Sequence, residues 1–167
     1  MSFPEKSYFF DFMKPSVHLS RAKGYRELGM YDQSFLELEE IMGEERLSYE
    51  VLEAKYLACK GAKEWEHAEA HANLIRVHHP NRVDGWIMLA ECLSELSGAE
   101  KAVETLLLDE ERFKESARYV YAIGRYYALA QEIQRAKEYT RRAIKMDGSL
   151  RAEFIEDSAF DGVWDSF

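Results

Sequence analysis

Large apolar and small side chains recur along this chain at a spacing of 34 residues, four times in register. One column reads His18, Leu52, Trp86 and Val120; four residues on it reads Ala22, Tyr56, Ala90 and Gly124. Three further on come Tyr25, Cys59, Leu93 and Tyr127, and nine beyond those Ser34, Ala68, Ala102 and Ala136. A period of this length marks stacked copies of one supersecondary unit. Within the third unit, Trp86, Leu89, Ala90 and Leu93 fall at i, i+3, i+4 and i+7, the stripe of an amphipathic helix. Ser97 and Gly98 interrupt it, and Ala102, Val103 and Leu106 begin a second stripe. The fourth unit repeats this with Val120, Ile123, Gly124 and Tyr127, then Ile133, Ala136, Tyr139, Thr140 and Ala143. The second has Leu52, Tyr56 and Cys59, then Trp65, Ala68, Ala72 and Ile75; the first has Leu19, Ala22 and Tyr25, then Tyr31, Ser34, Leu38 and Ile41. No segment alternates with period two over a useful length. The pattern predicts eight helices in four antiparallel hairpins and no strands.

The small columns let two helix axes approach closely, and the large columns fill the space between successive hairpins. No hairpin can bury its apolar stripe alone, so each needs its neighbour. The turns are less regular: Gly29-Met30 precedes Tyr31, whereas Lys63-Glu64 precedes Trp65. Pro80 ends the second helix of its unit, since proline lacks an N–H and disfavours helix in the residue before it. Gly148 does comparable work as a C-terminal cap.

These positions resemble the tetratricopeptide repeat, a 34-residue helix–turn–helix, with Gly124 to Asp147 (GRYYALAQEIQRAKEYTRRAIKMD) as the closest copy. The resemblance covers residues 15–150, as units 15–48, 49–82, 83–116 and 117–150. It implies an all-α, right-handed superhelix of hairpins. Three residues depart from the family's pattern. His18 stands where a bulky apolar residue is preferred. Tyr56 stands at a small-residue place and predicts a widened second hairpin. Asp109 stands at an apolar place and predicts that the second helix of the third unit bends or ends early. Residues 151–167 read as a capping segment, because terminal repeats must hide an apolar face. Arg151 to Glu156 are expected to add a helical turn or two, with Phe160, Val163 and Trp164 folding back over the last helix. Bacterial repeat proteins of this kind often end in a similar acidic, aromatic tail. Residues 1–14 form an aromatic segment, with Tyr8, Phe9, Phe10, Phe12 and Met13 just before Pro15. It reads either as a cap over the first hairpin or as a segment docking into a groove of this molecule or of a second copy.

Charge narrows the partners. The chain has 167 residues, with 31 acidic and 22 basic side chains and a formal net charge of -9. That balance argues against nucleic acid, whose phosphates need a basic face. Hydrophobic residues at 47%, with only 3 Pro and 9 Gly, suit long regular elements. The N-terminal stretch has acidic residues and no long apolar core, so it does not read as a secretory signal. No apolar run approaches the ~20 residues needed to span a bilayer. A cytoplasmic location is the expectation. Cys59 and Cys92 sit inside helical patterns and read as buried free thiols.

No catalytic motif is present: there is no GxSxG, no GxxxxGK[ST] and no GxGxxG between strand and helix. The chain reads as non-enzymatic and free of cofactors. Glu37, Glu39, Glu40, Glu44 and Glu45 read as a solvated helix face and exposed turn. His67, His71 and His78 lie on one side of the second unit's second helix, and such a trio could hold a metal. Their order, HAEAH, is not the HExxH of zinc proteases, and an exposed helix supplies little support around a metal. The resemblance points instead to a concave groove lined by the first helix of each unit. Carried over, it nominates Leu19, Lys23 and Arg26, then Glu53 and Leu57, then Asp84, Ile87, Met88 and Glu91, then Arg118, Tyr121 and Arg125. One sub-family grips a peptide's C-terminal carboxylate with a Lys/Asn/Asn/Lys/Arg clamp. Here Leu19, Lys23, Ala54, Asp84 and Met88 stand at those places, so the clamp is absent. What remains is an apolar floor of Leu19, Leu57, Ile87, Met88 and Tyr121, suited to a protein or peptide segment with apolar anchors. Lys23, Arg118 and Arg125 would fix its orientation. A small acidic secretion-type chaperone is the alternative, although such proteins usually carry three repeats. A metal protein or enzyme built on the histidines is more remote. Pairing of two copies through an end face is also open.

Overall fold

The structure is a computed structural model and describes residues 14–164. The segment holding Tyr8, Phe9, Phe10, Phe12 and Met13 therefore lies outside the described residues. Four hairpins follow one another: α1 (Pro15–Glu27) with α2 (Tyr31–Glu39), α3 (Tyr49–Gly61) with α4 (Trp65–His78), α5 (Asp84–Ser97) with α6 (Ala99–Leu107), and α8 (Ala117–Leu129) with α9 (Ile133–Met146). A four-residue helix, α7 (Glu110–Phe113), lies between the third and fourth. After them come α10 (Leu150–Glu156), a 3-10 turn at Ser158–Phe160 and α11 (Asp161–Trp164). The fold is an all-α, right-handed superhelix of hairpins, with no strand among the described residues. No described helix is long and apolar enough to cross a membrane.

Local chemistry sets the helix ends. Pro15 occupies the first turn of α1, where its missing N–H forfeits no helical bond. Ser48 and Ser116 cap α3 and α8 by accepting from the backbone N–H groups of Val51 and Tyr119 at 3.4 Å each. Inside the hairpins, Gly29, Lys63 and Gln131 take φ values of 73°, 61° and 62°. These left-handed residues sit at one place of the repeat, so the turns share a conformation although only one is glycine. In the third hairpin the left-handed residue is Gly98, one place later, at φ 100°.

The small columns do what close approach requires. Ala22, Ala68, Ala90, Ala102, Gly124 and Ala136 are all buried. Ser34 is buried too and donates its hydroxyl to the carbonyl of Ala22 at 2.8 Å. At Gly124 a Cβ would lie 2.6 Å from Thr140 Oγ1 and 3.0 Å from Thr140 N, so α8 and α9 touch there without room for a methyl group. Tyr56 is accommodated by reaching across to α5, where its hydroxyl donates to Glu91 at 2.5 Å. Asp109 ends the run of α6, stands at the start of α7 and accepts from Trp86 Nε1 at 2.7 Å. An acid at an apolar place thus has a partner in the helix opposite.

The two ends of the array are closed in different ways. At the C-terminal end Leu150, Phe154, Phe160 and Val163 are buried. Phe160 lies edge-on to Phe154 (4.7 Å between centroids) and tilted on Tyr121 (5.7 Å). The segment therefore covers α8 as well as the last helix; the Trp164 side chain lies outside what is described. At the other end His18 shares Glu37 with Arg21, at 2.9 Å and 3.3 Å. Among the described residues, that end is marked by polar groups in place of an apolar closing segment.

Candidate binding groove

The first helices of the hairpins carry all twelve nominated residues. On α1, Leu19 and Arg26 are half-buried, while Lys23 is exposed and lies 3.7 Å from Glu27. On α3, Glu53 accepts from the Tyr49 hydroxyl at 2.7 Å, and Leu57 packs on the cluster around Tyr56, Cys59 and Leu89. On α5, Asp84 lies between Arg118 (3.2 Å) and Arg82 (3.6 Å), and Met88 packs against core on both sides. Ile87, Glu91, Arg118, Tyr121 and Arg125 come together around one cavity of about 310 Å³. The other seven lie outside it.

Lys60 and Ala122, which the repeat register also turns toward the groove, line the same cavity. Tyr126, Leu150 and Glu153 line it too, and the register did not point to them. Lys60 belongs to the groove face of α3, and its side-chain nitrogen sits 2.7 Å from Glu91. Leu150 is the last residue of the fourth unit and Glu153 lies beyond the register in the closing segment; both belong to α10. Arg125 is tied to that segment: its Nε donates to Asp157 at 2.7 Å. Burial works against the Arg125 charge, but Asp157, Tyr126 and Glu91 together outweigh it and raise the guanidinium pKa above its ordinary value. The cations expected to orient a partner are therefore partnered within the chain. Lys60–Glu91, Arg118–Asp84 and Arg125–Asp157 each join one hairpin or closing segment to its neighbour.

Tyr121 is only 4% exposed, and its hydroxyl finds no partner among the described residues. Burial, with Asp157 and Glu153 nearby, pushes its pKa upward, so it stays a phenol. The floor it was expected to offer is instead covered by Phe160. The open part of the floor is made by half-buried Ile87, with Ala122 buried behind it and Leu19, Leu57 and Met88 half-buried further along.

The remaining candidates separate. His67 is exposed and pairs with Glu64 at 3.2 Å, and His78 is exposed. His71 lies against Phe35, and burial and then Lys55 push its pKa down to about 4. His79, which follows His78, binds the Leu47 carbonyl through Nε2 at 2.8 Å. Among the described residues no three His, Cys, Asp or Glu side chains gather as a metal site. Cys59 and Cys92 are free and buried, and burial pushes their thiols up to about 11 and about 12. Thiols held neutral in this way react slowly at neutral pH.

No family model matches the chain. None of the curated proteins matches its sequence. Solved structures do match its shape. A crystal structure of MamA superposes with a TM-score of 0.65 at 17% identity, covering 86% of this chain and 83% of that one. A second gives 0.62 at 16%, covering 84% and 76%. The MamA RS-1 double mutant gives 0.62 at 14%, covering 93% and 90%. At such identities the likeness concerns the fold, and it supports an all-α helical-repeat array of the tetratricopeptide type.

Proposed function

We propose that the chain is a non-enzymatic protein-interaction module that binds a peptide or protein segment along the concave face of α1, α3, α5 and α8. The observation that carries this reading is the cavity of about 310 Å³ among α3, α5, α8 and α10, with Ile87 and Ala122 on its floor. The cleft sets the carbon surface of Ile87, Ala122 and Leu150 among the charged groups of Lys60, Glu91, Arg118, Arg125 and Glu153, so it suits a segment that offers an apolar anchor with polar groups beside it. The ion pairs across the groove serve first to fix the angle between hairpins. A partner's charges would select among orientations by competing for the exposed ends, of which Arg118, with 68% of its side chain exposed, is the most accessible. Burial of partner side chains on Ile87, Leu57 and Leu19 would supply the affinity. Lys23, Arg118 and Arg125 remain the residues assigned to orientation, with Arg125 acting through Asp157.

A photo-crosslinking residue at Ile87, compared with one at exposed Lys101 on α6, tests the reading in cells. Adducts of discrete mass from position 87 alone, weakened by Arg118→Glu, are the expected result. Adducts from both positions alike, or from neither, would sink it.

A further inference from the structure

On the side of the second helices lies a crevice that the groove does not use. It runs between α2 and α4 with α3 as its floor, as two adjoining cavities of about 240 Å³ and about 230 Å³ that share Phe35, Cys59 and Glu64. Leu36, which is 64% exposed, stands at the edge of one lobe, and exposed Ala70 at the edge of the other. Carbon surface dominates the interior, and the acids Asp32 and Glu64 stand on its walls. The second lobe also holds His71, whose Nδ1 is buried without a hydrogen-bond partner among the described residues. An occupant would need several large apolar side chains and cations beside them.

The chain carries one stretch with that chemistry. Residues 6–14 read KSYFFDFMK, four aromatics and a methionine between Lys6 and Lys14. Its own copy is poorly placed to deliver them. From Lys14 the chain runs 13 residues along α1, about 20 Å at 1.5 Å per residue. Only then does it turn back into α2, whose first two turns line the crevice. A return path must recover much of that length and pass around α2, itself about 10 Å thick, so it exceeds about 20 Å. Fully extended at about 3.5 Å per residue, Phe12, Phe10 and Phe9 lie only about 7–18 Å from Lys14 and Tyr8 about 21 Å, so within one copy at most the far end of the stretch comes to the near edge of the crevice. A second copy carries no such tether.

We propose that the aromatic segment of one copy occupies the α2/α4 crevice of a second copy, reciprocally, in a two-fold dimer. Phe and Tyr side chains fill the two lobes, and the flanking lysines face Asp32 and Glu64. An isologous exchange of this kind closes on itself and leaves no open binding end.

Sedimentation of the full chain, of the chain lacking residues 1–13, and of Leu36→Glu and Ala70→Glu tests this. Both substituted positions are exposed, so these variants should fold, and circular dichroism checks that they do. Peptide-resolved alkylation gives a second readout, with Cys59 on the crevice floor and deeply buried Cys92 as the reference. The expected result is a full-chain dimer that becomes monomeric on truncation or on either substitution, with Cys59 alkylated several-fold faster in each monomer. A monomeric full chain, a dimer that survives truncation, or Cys59 protection unchanged by truncation would overturn the proposal. Protection of Cys59 within a monomer would do so as well, by giving the crevice to the chain's own segment.

Discussion

Helices α1 and α8 are both the first helix of a hairpin and both 13 residues long, yet α1 buries only His18 and Ala22 whereas α8 buries nine residues. The difference lies in neighbours. α8 is covered before by α6, behind by α9 and after by the closing segment, with Phe160 seated on Tyr121. α1 has α2 and α3, and its outer side ends in the His18–Glu37–Arg21 cluster. In a stacked array each unit's stability is its own contribution plus its interfaces. The last hairpin therefore holds the rigid end of the groove and the first holds the loose end. A partner that needs the apolar floor meets a preformed surface near Ile87 and a more adaptable one near Leu19.

Phe160→Ala should break this comparison most directly. Phe160 is fully buried, and truncating such a ring costs about 3–5 kcal/mol. Val17→Ala on α1, where the side chain is 40% exposed, should stay within about 0.5 kcal/mol. Urea unfolding of the two variants measures both. Equal shifts would mean that the closing segment adds nothing to α8.

Gly124→Ala should cost about 1–3 kcal/mol, the usual penalty for overpacking a tight contact. The added methyl meets Thr140 Oγ1 and the backbone behind it. Pairing it with Thr140→Ala in a double-mutant cycle should recover part of the loss, since the hydroxyl is the nearer obstacle. A strictly additive double variant would locate the strain in the backbone contact alone.

Between the two ends, His71 on α4 gives the array a pH response. Its pKa falls from 6.5 to about 4 in the folded chain, chiefly through burial. Below pH 6.5 the unfolded chain binds a proton that the folded chain refuses until about pH 4, so stability is lost as pH falls across that window and levels off beneath it. His71→Gln should flatten this slope in denaturation midpoints measured across the same range. An unchanged slope would assign it to other groups.

The fold was legible because its determinants are columns. Ala22, Ala90 and Gly124 must be small wherever two axes meet, and a 34-residue spacing exposes that without any structure. The hairpin turns were not legible, because a left-handed backbone is set by the helices on either side. Lys63 and Gln131 adopt it without the glycine that would announce it. The groove was legible only as far as the repeat register runs. Ile87, Glu91, Arg118, Tyr121 and Arg125 do gather, but what they gather around depends on Leu150, Glu153 and Asp157, which lie at or beyond its last unit. Pairing across hairpins is a matter of curvature, and a column of residue types does not encode which cation meets which acid. The crevice between α2 and α4 left no signal at all, since it is a gap between helices rather than a property of either.

The smallest effect is the most informative about α1. Gly24 lies in the interior of α1, and a Cβ built there meets nothing within 4 Å among the described residues. With no contact to disturb, Gly24→Ala should stabilise the chain by about 0.5–1 kcal/mol, because alanine gives up less backbone freedom than glycine on entering a helix. The same substitution thus carries opposite signs in α1 and α8, and the sign reports whether a neighbour is present. A rise in the urea midpoint with an unchanged slope confirms that this face of α1 is open. A fall would mean that something outside residues 14–164, the aromatic segment first of all, already lies against Gly24, and the loose end of the groove would then be a covered one.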